Sequence, residues 1–167
     1  MGTVKMLHVI GFKNSGKTTL INRWIRLLKA NKYAVSVIKH HGHGAKLDVP
    51  DEEKDSMQYL SNGADVSLVA GGGFTQHMIN RTAKFSELKQ LANWNQPDVV
   101  LVEGYKEELG EKVVLIRDNK DWQELKNSKG IVLVVGLDGE CTYSQIESRD
   151  KTEELDDWLL KWMKNEC

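Results

Sequence analysis

Short apolar runs alternate with amphipathic stretches along the whole chain. Residues 4–10, "VKMLHVI", are an apolar run closed by a glycine, the pattern of a buried strand. Leu20, Ile21, Trp24, Ile25 and Leu28 then recur at helical spacing and predict a helix over residues 17–30. A second strand is expected at 34–38, followed by the polar loop "KHHGHGAKLDVPDEEK". A short helix at 55–60 ends at Asn62-Gly63, and a strand at 66–69 runs into Gly71-Gly72-Gly73. Residues 74–79 read as an antiparallel partner, an edge hairpin, and 86–94 as a helix. Residues 99–102, 113–116 and 131–135 are three further β-branched runs. A last helix places Leu155, Trp158, Leu159, Trp162 and Met163 on one stripe. Such alternation predicts an α/β three-layer sandwich with a mostly parallel sheet, whose functional loops gather at the C-terminal edge of the strands.

Composition leaves that picture standing and removes alternatives. At 167 residues the chain is expected to form one domain with a substantial core. With 40% hydrophobic and 28% charged residues and a net charge of -1, it shows no overall basic excess for nucleic acid. No apolar run approaches the roughly 20 residues of a membrane span, and "MGTVKMLHVIGF" has no signal-peptide pattern. Met6 stands where a myristoylation signal needs Ser or Thr. Cys141 and Cys167 fit no CxxC spacing; reduced thiols and a cytoplasmic location are expected.

The first stretch with definite chemistry is "GFKNSGKTTL", residues 11–20. It spells Gly-x-x-x-x-Gly-Lys-Thr between a strand and a helix, the pattern of a P-loop NTPase. Glycines let the backbone approach phosphates, successive amides point at them, and the helix start adds its positive dipole end. Gly11, Asn14, Ser15, Gly16, Lys17, Thr18 and Thr19 are the expected nucleotide-binding residues. Lys17 reaches the β- and γ-phosphates, and the Thr18 hydroxyl ligates Mg2+. Lys13, inside the loop, has two readings: a solvated lysine, which is favoured, and a contact to phosphate or a partner.

A Mg2+-associated carboxylate belongs at the end of a strand beside the P-loop strand. "QPDVVLVEGYK" offers an acid at each end of one apolar run. Asp98 lies roughly 16 Å from Glu103, at the opposite edge. Glu103 is therefore the expected metal-associated acid, together with Thr18, and Asp98 marks the start of the strand.

The segment after residue 38 carries His40, His41 and His43. Three readings stay open there: a metal site, an anion or partner surface, and a solvated loop. Asp48 follows in the same switch-like loop, where it either orients water or only turns the chain before Pro50. Lys17, Glu103 and Asp48 are the residues expected to serve any hydrolysis. A guanine-reading Asn-Lys-x-Asp is met imperfectly by "NKDW", because Asp121 comes one residue early. Base specificity does not follow from it.

"GFKNSGKTTL", "VIKHHGHG", "KDSMQYLSNGAD" and "DVVLVEGYK" occur in the order seen in the MobB family of molybdopterin-guanine dinucleotide biosynthesis adapter proteins. The resemblance covers about residues 6–117. It implies a GTP-binding P-loop protein of the class that includes the nickel-insertion GTPases, a homodimer, and a partner guanylyltransferase that attaches GMP to molybdopterin. In that setting the three histidines become a partner or pterin loop. The family pattern usually has an Arg after "KDS" and then Ala-Gly-Ala; here "MQYLSNGA" has neither that Arg nor the first Ala. Two other readings are a P-loop kinase of a small metabolite and a nickel-maturation GTPase. A kinase is expected to bring an Arg-rich lid. Beyond the P-loop, Arg81, Arg117 and Arg149 are scattered and form no cluster in sequence, which disfavours the kinase. With no obvious arginine finger, hydrolysis is expected to be slow.

Overall fold

The computed structural model describes residues 4–41, 47 and 49–166. They form two compact units, Met1–His40 with Gln90–Cys167, and His41–Lys89.

The first unit is built on a six-stranded sheet of β1 (Lys5–Ile10), β2 (Val35–Lys39), β5 (Val99–Glu103), β6 (Glu111–Leu115), β7 (Ile131–Val135) and β8 (Ser144–Ile146). Their order is β2-β5-β1-β6-β7-β8, and every neighbouring pair is parallel. Side chains alternate across the strands, so one run of apolar residues serves two cores. Leu7, Val9, Leu101, Val113, Leu115 and Leu133 face α1 (Lys17–Ala30) and α5 (Thr152–Met163), which contribute Trp24, Leu28, Leu155 and Leu159. Trp24 stacks on Trp158 at 6.2 Å between those helices. Ile10, Val114, Ile116 and Val134 face the other way, packing with Leu125 of α4 (Asn119–Leu125). The expected helical stripes are thus the buried ones, with Ile25 and Trp158 at their half-buried margins.

The second unit holds α2 (Asp55–Ser61) and the antiparallel pair β3 (Val66–Gly71) and β4 (Phe74–Ile79). The expected hairpin is present and forms a two-stranded sheet of its own. α3 (Phe85–Ala92) starts in this unit and ends in the first, somewhat earlier in the chain than residues 86–94.

Two elements differ from expectation for physical reasons. β6 begins at Glu111, before the apolar run, and takes in Lys112. That lysine is buried, and its ammonium donates to the carbonyls of Glu108 at 2.6 Å and Lys129 at 2.7 Å. β8 has three residues and one buried side chain, too little to leave a pattern.

Candidate functional site

A parallel sheet places every strand-to-loop exit on one edge. The exits of the first unit that carry polar side chains include residues 11–16 after β1, His40 after β2, Arg117 after β6 and Arg149 after β8, and Glu103 closes β5. β1 lies between β5 and β6, so the Gly-rich loop emerges between Glu103 and Arg117.

Backbone conformation explains the loop's composition. Gly11 has φ +155°, and a Cβ there would meet Ser15 Oγ at 2.6 Å and the Leu115 carbonyl at 2.8 Å. Gly16 has φ +94° and lies under the Arg149 guanidinium, which would be 3.2 Å from a Cβ. Asn14 adopts φ +63°, a left-handed conformation that asparagine tolerates better than most residues. Ser15 is buried, and its Oγ has no hydrogen-bond partner among the described residues. An unpaired buried hydroxyl costs about 1–3 kcal/mol, which a ligand oxygen can recover.

Lys17 and Thr18 open α1. Lys17 Nζ donates to the carbonyls of Gly11 at 2.9 Å and Phe12 at 2.7 Å. Burial pushes its ammonium below the ordinary lysine range; Glu103 pulls it back, and Lys39 and Arg117 push it further down. The Thr18 hydroxyl lies 3.0 Å from both carboxylate oxygens of Glu103. Glu103 is nearly buried at the end of β5. Lys39 Nζ stands 3.6 Å from its Oε2. Asp98 lies at the start of the same strand, where its carboxylate accepts the Ala34 N–H at 2.7 Å.

The other expected residues are placed less completely. Thr19 is exposed on α1. His40 donates its backbone N–H to the Glu103 carbonyl at 2.9 Å, and its ring meets Tyr105 edge-on at 4.9 Å. His41 is exposed at the start of the second unit. His43 and Asp48 lie outside the described residues. Among the described residues, no group of three His, Cys, Asp or Glu is arranged to hold a metal ion. Asp121, in the imperfect "NKDW" segment, is buried and engaged: its carboxylate takes two guanidinium bonds from Arg117, at 2.7 and 2.8 Å. That guanidinium holds the carboxyl below its ordinary value.

The sequence reading missed Lys39 and the meeting of two arginines that it counted as scattered. Lys39 pairs with Glu103. Arg117 and Arg149, scattered in sequence, converge on the Gly-rich loop, donating to the carbonyls of Lys13 at 3.0 Å and Asn14 at 3.5 Å. Arg117 was within reach of the rule that selected Glu103, because it directly follows an apolar parallel strand. Arg149 follows the three-residue β8, which left no such signal.

Residues 6–137 match the family model of MobB, molybdopterin guanine dinucleotide synthesis protein B. A Bacillus subtilis protein described as a probable molybdopterin-guanine dinucleotide biosynthesis adapter protein is 33% identical over 129 residues, 77% of this chain and 75% of its own length. The solved structure of Bacillus subtilis MobB superposes with a TM-score of 0.80 at 28% identity, covering 94% of this chain and 97% of that one. The MobB homologue of Bacillus stearothermophilus gives 0.77 at 29% identity, covering 96% and 98%. Among the described residues, no helix is long and apolar enough to cross a membrane.

Proposed function

We infer the function from one premise: this chain belongs to the MobB family, molybdopterin guanine dinucleotide synthesis protein B. It is an adapter protein of molybdopterin-guanine dinucleotide biosynthesis. In our reading it works by holding GTP with Mg2+ in the loop of residues 11–16 and presenting it, as a homodimer, to a partner guanylyltransferase. The observation that carries this reading is the contact of the Thr18 hydroxyl with both oxygens of Glu103, beside Lys17.

The residues fit the group they would hold. Mg2+ on a nucleotide takes one or two protein oxygens and fills its octahedron with phosphate and water. Thr18 and Glu103 supply such oxygens, and a bound Mg2+ would screen the phosphate charge. Lys17 would leave the Gly11 and Phe12 carbonyls for phosphate oxygens, and Ser15 Oγ would gain a partner. Gly11, Asn14, Gly16 and Thr19 complete the binding segment. Glu103, with Lys17 and Asp48, serves a slow hydrolysis. His40, His41 and His43 are assigned to the partner or pterin side of the reaction. Replacing all three with alanine leaves GTP affinity and weakens capture of the transferase or of molybdopterin.

Calorimetric titration of GTP and ATP with Mg2+ tests the reading. Lys17→Ala removes the charge-assisted bonds to phosphate and lowers affinity roughly a hundredfold. Equal affinity in the wild type and Lys17→Ala overturns the nucleotide assignment. ATP preference with a phosphorylated small-molecule product would make the protein a kinase.

A further inference from the structure

Four successive carbonyl oxygens of the Gly-rich loop accept hydrogen bonds from cations. Lys17 takes Gly11 and Phe12, Arg117 takes Lys13, and Arg149 takes Asn14. The two arginines come from 104 and 135 residues away in sequence. Arg117 has little freedom: two of its nitrogens bond Asp121, its backbone N–H donates to the same carboxylate at 3.1 Å, and its guanidinium lies 5.6 Å from the Phe12 ring centroid. Asp121 is fixed in turn, since its N–H donates to the Asp118 side chain at 3.0 Å, the N-cap of α4. Arg149 lies across Gly16 as well as on the Asn14 carbonyl.

A planar trans peptide points its C=O and the next N–H in opposite directions. Drawing the Lys13 carbonyl toward Arg117 therefore aims the Asn14 N–H to the other side. A loop that binds phosphate through its amides needs that orientation fixed in advance. Lys17 cannot fix it alone, because it must release its own two carbonyls to reach a phosphate.

We propose that Arg117 and Arg149 are positioning residues for the phosphate loop, holding the Lys13 and Asn14 carbonyls so that the loop keeps its binding shape when Lys17 turns to the ligand. The ligand class is a nucleoside di- or triphosphate, so the inference rests on the nucleotide reading above. Asp121, one residue out of register for a base reader, is by this account the anchor of Arg117.

Calorimetry with GTP and GDP, alongside thermal unfolding without nucleotide, separates the outcomes. Arg117→Ala and Arg149→Ala each lower affinity for both nucleotides about tenfold, the scale of one charge-assisted hydrogen bond. The unfolding midpoint stays at the wild-type value in Arg149→Ala. It falls in Arg117→Ala, which leaves the buried Asp121 carboxylate without its guanidinium, so affinity there is read on the folded fraction. Arg149→Lys restores most of the affinity because one donor suffices there. Arg117→Lys does not, because the bidentate hold on Asp121 needs a guanidinium. Asp121→Asn reproduces the Arg117→Ala loss. Wild-type affinity in both alanine variants, with Lys17→Ala impaired, overturns the brace and leaves the nucleotide reading intact. In Arg149→Ala, a loss that tracks a fallen midpoint and is not restored by Arg149→Lys also overturns it, since that arginine would then only support the fold. Failure of the folded wild type to bind either nucleotide overturns both.

Discussion

Asp98 and Glu103 close the two ends of one buried strand, and their surroundings differ in kind. Asp98 is exposed, and its carboxylate has one described hydrogen bond, from the Ala34 N–H, where the chain enters β2. Lys112, at the start of β6, is similar: its ammonium is occupied by the carbonyls of nearby turns. Charges at this edge of the sheet close the backbone that carries them. At the other edge, charged groups face one another. Glu103 meets Thr18 and Lys39, and Lys17 feels both Lys39 and Arg117 as like charges. Lys39 and Arg117 have carboxylate partners in Glu103 and Asp121, and Lys17 between them rests on two loop carbonyls, so an anion with several charges would meet cations already gathered. The strand ends whose charges close their own backbone are thus separable from those where charged side chains face one another.

The sharpest way to break this contrast is Glu103→Gln, which keeps the shape and removes the charge. Most of the Mg2+-dependent part of GTP affinity is expected to go, about tenfold for one charged ligand. The unfolding midpoint changes little. Titrations with Mg2+ and with a chelator read the difference, and undiminished Mg2+ dependence would detach Glu103 from the metal.

Lys112→Met asks the converse at the other edge. The apolar stem is kept and the carbonyls of Glu108 and Lys129 lose their donor. Leaving such groups unpaired costs roughly 1–3 kcal/mol of stability, readable by urea unfolding. Nucleotide affinity of the folded fraction stays at the wild-type value. A variant that keeps its stability and loses GTP would place ligand chemistry at the wrong edge.

The same contrast explains how much was legible in the sequence. A strand buried on both faces writes itself as an apolar run, so β1, β5 and β7 were readable, and the parallel rule then put Glu103 and the Gly-rich loop together. Lys112 hid the start of β6, because a lysine satisfied by main-chain carbonyls has the same letter as a solvated one. Arg117 and Arg149 hid for another reason. Their role depends on strands far apart in the chain meeting at one loop. Arg117 at least follows an apolar run that marks the functional edge, whereas Arg149 follows the three-residue β8 and has no such signal. Asp121 shows the opposite hazard: its neighbours look like a base reader, and its carboxylate is committed to Arg117.

The smallest effect belongs to Asp98→Asn. The amide oxygen still accepts the Ala34 N–H, so only the charge assistance is lost. That difference is at most about 1 kcal/mol, and solvent reduces it further because the group is exposed. Val99 and its neighbours remain buried whichever residue stands at 98, so the strand keeps its register with Lys5 and Val35. GTP affinity and its Mg2+ dependence should match the wild type in the titrations that expose Glu103→Gln. The two substitutions make the same chemical change on one strand, five residues apart, and differ only in which edge of the sheet they touch. Equal losses of nucleotide binding in both would mean that strand direction does not sort the chemistry of this fold; a loss confined to Glu103→Gln ties the site to the C-terminal edge.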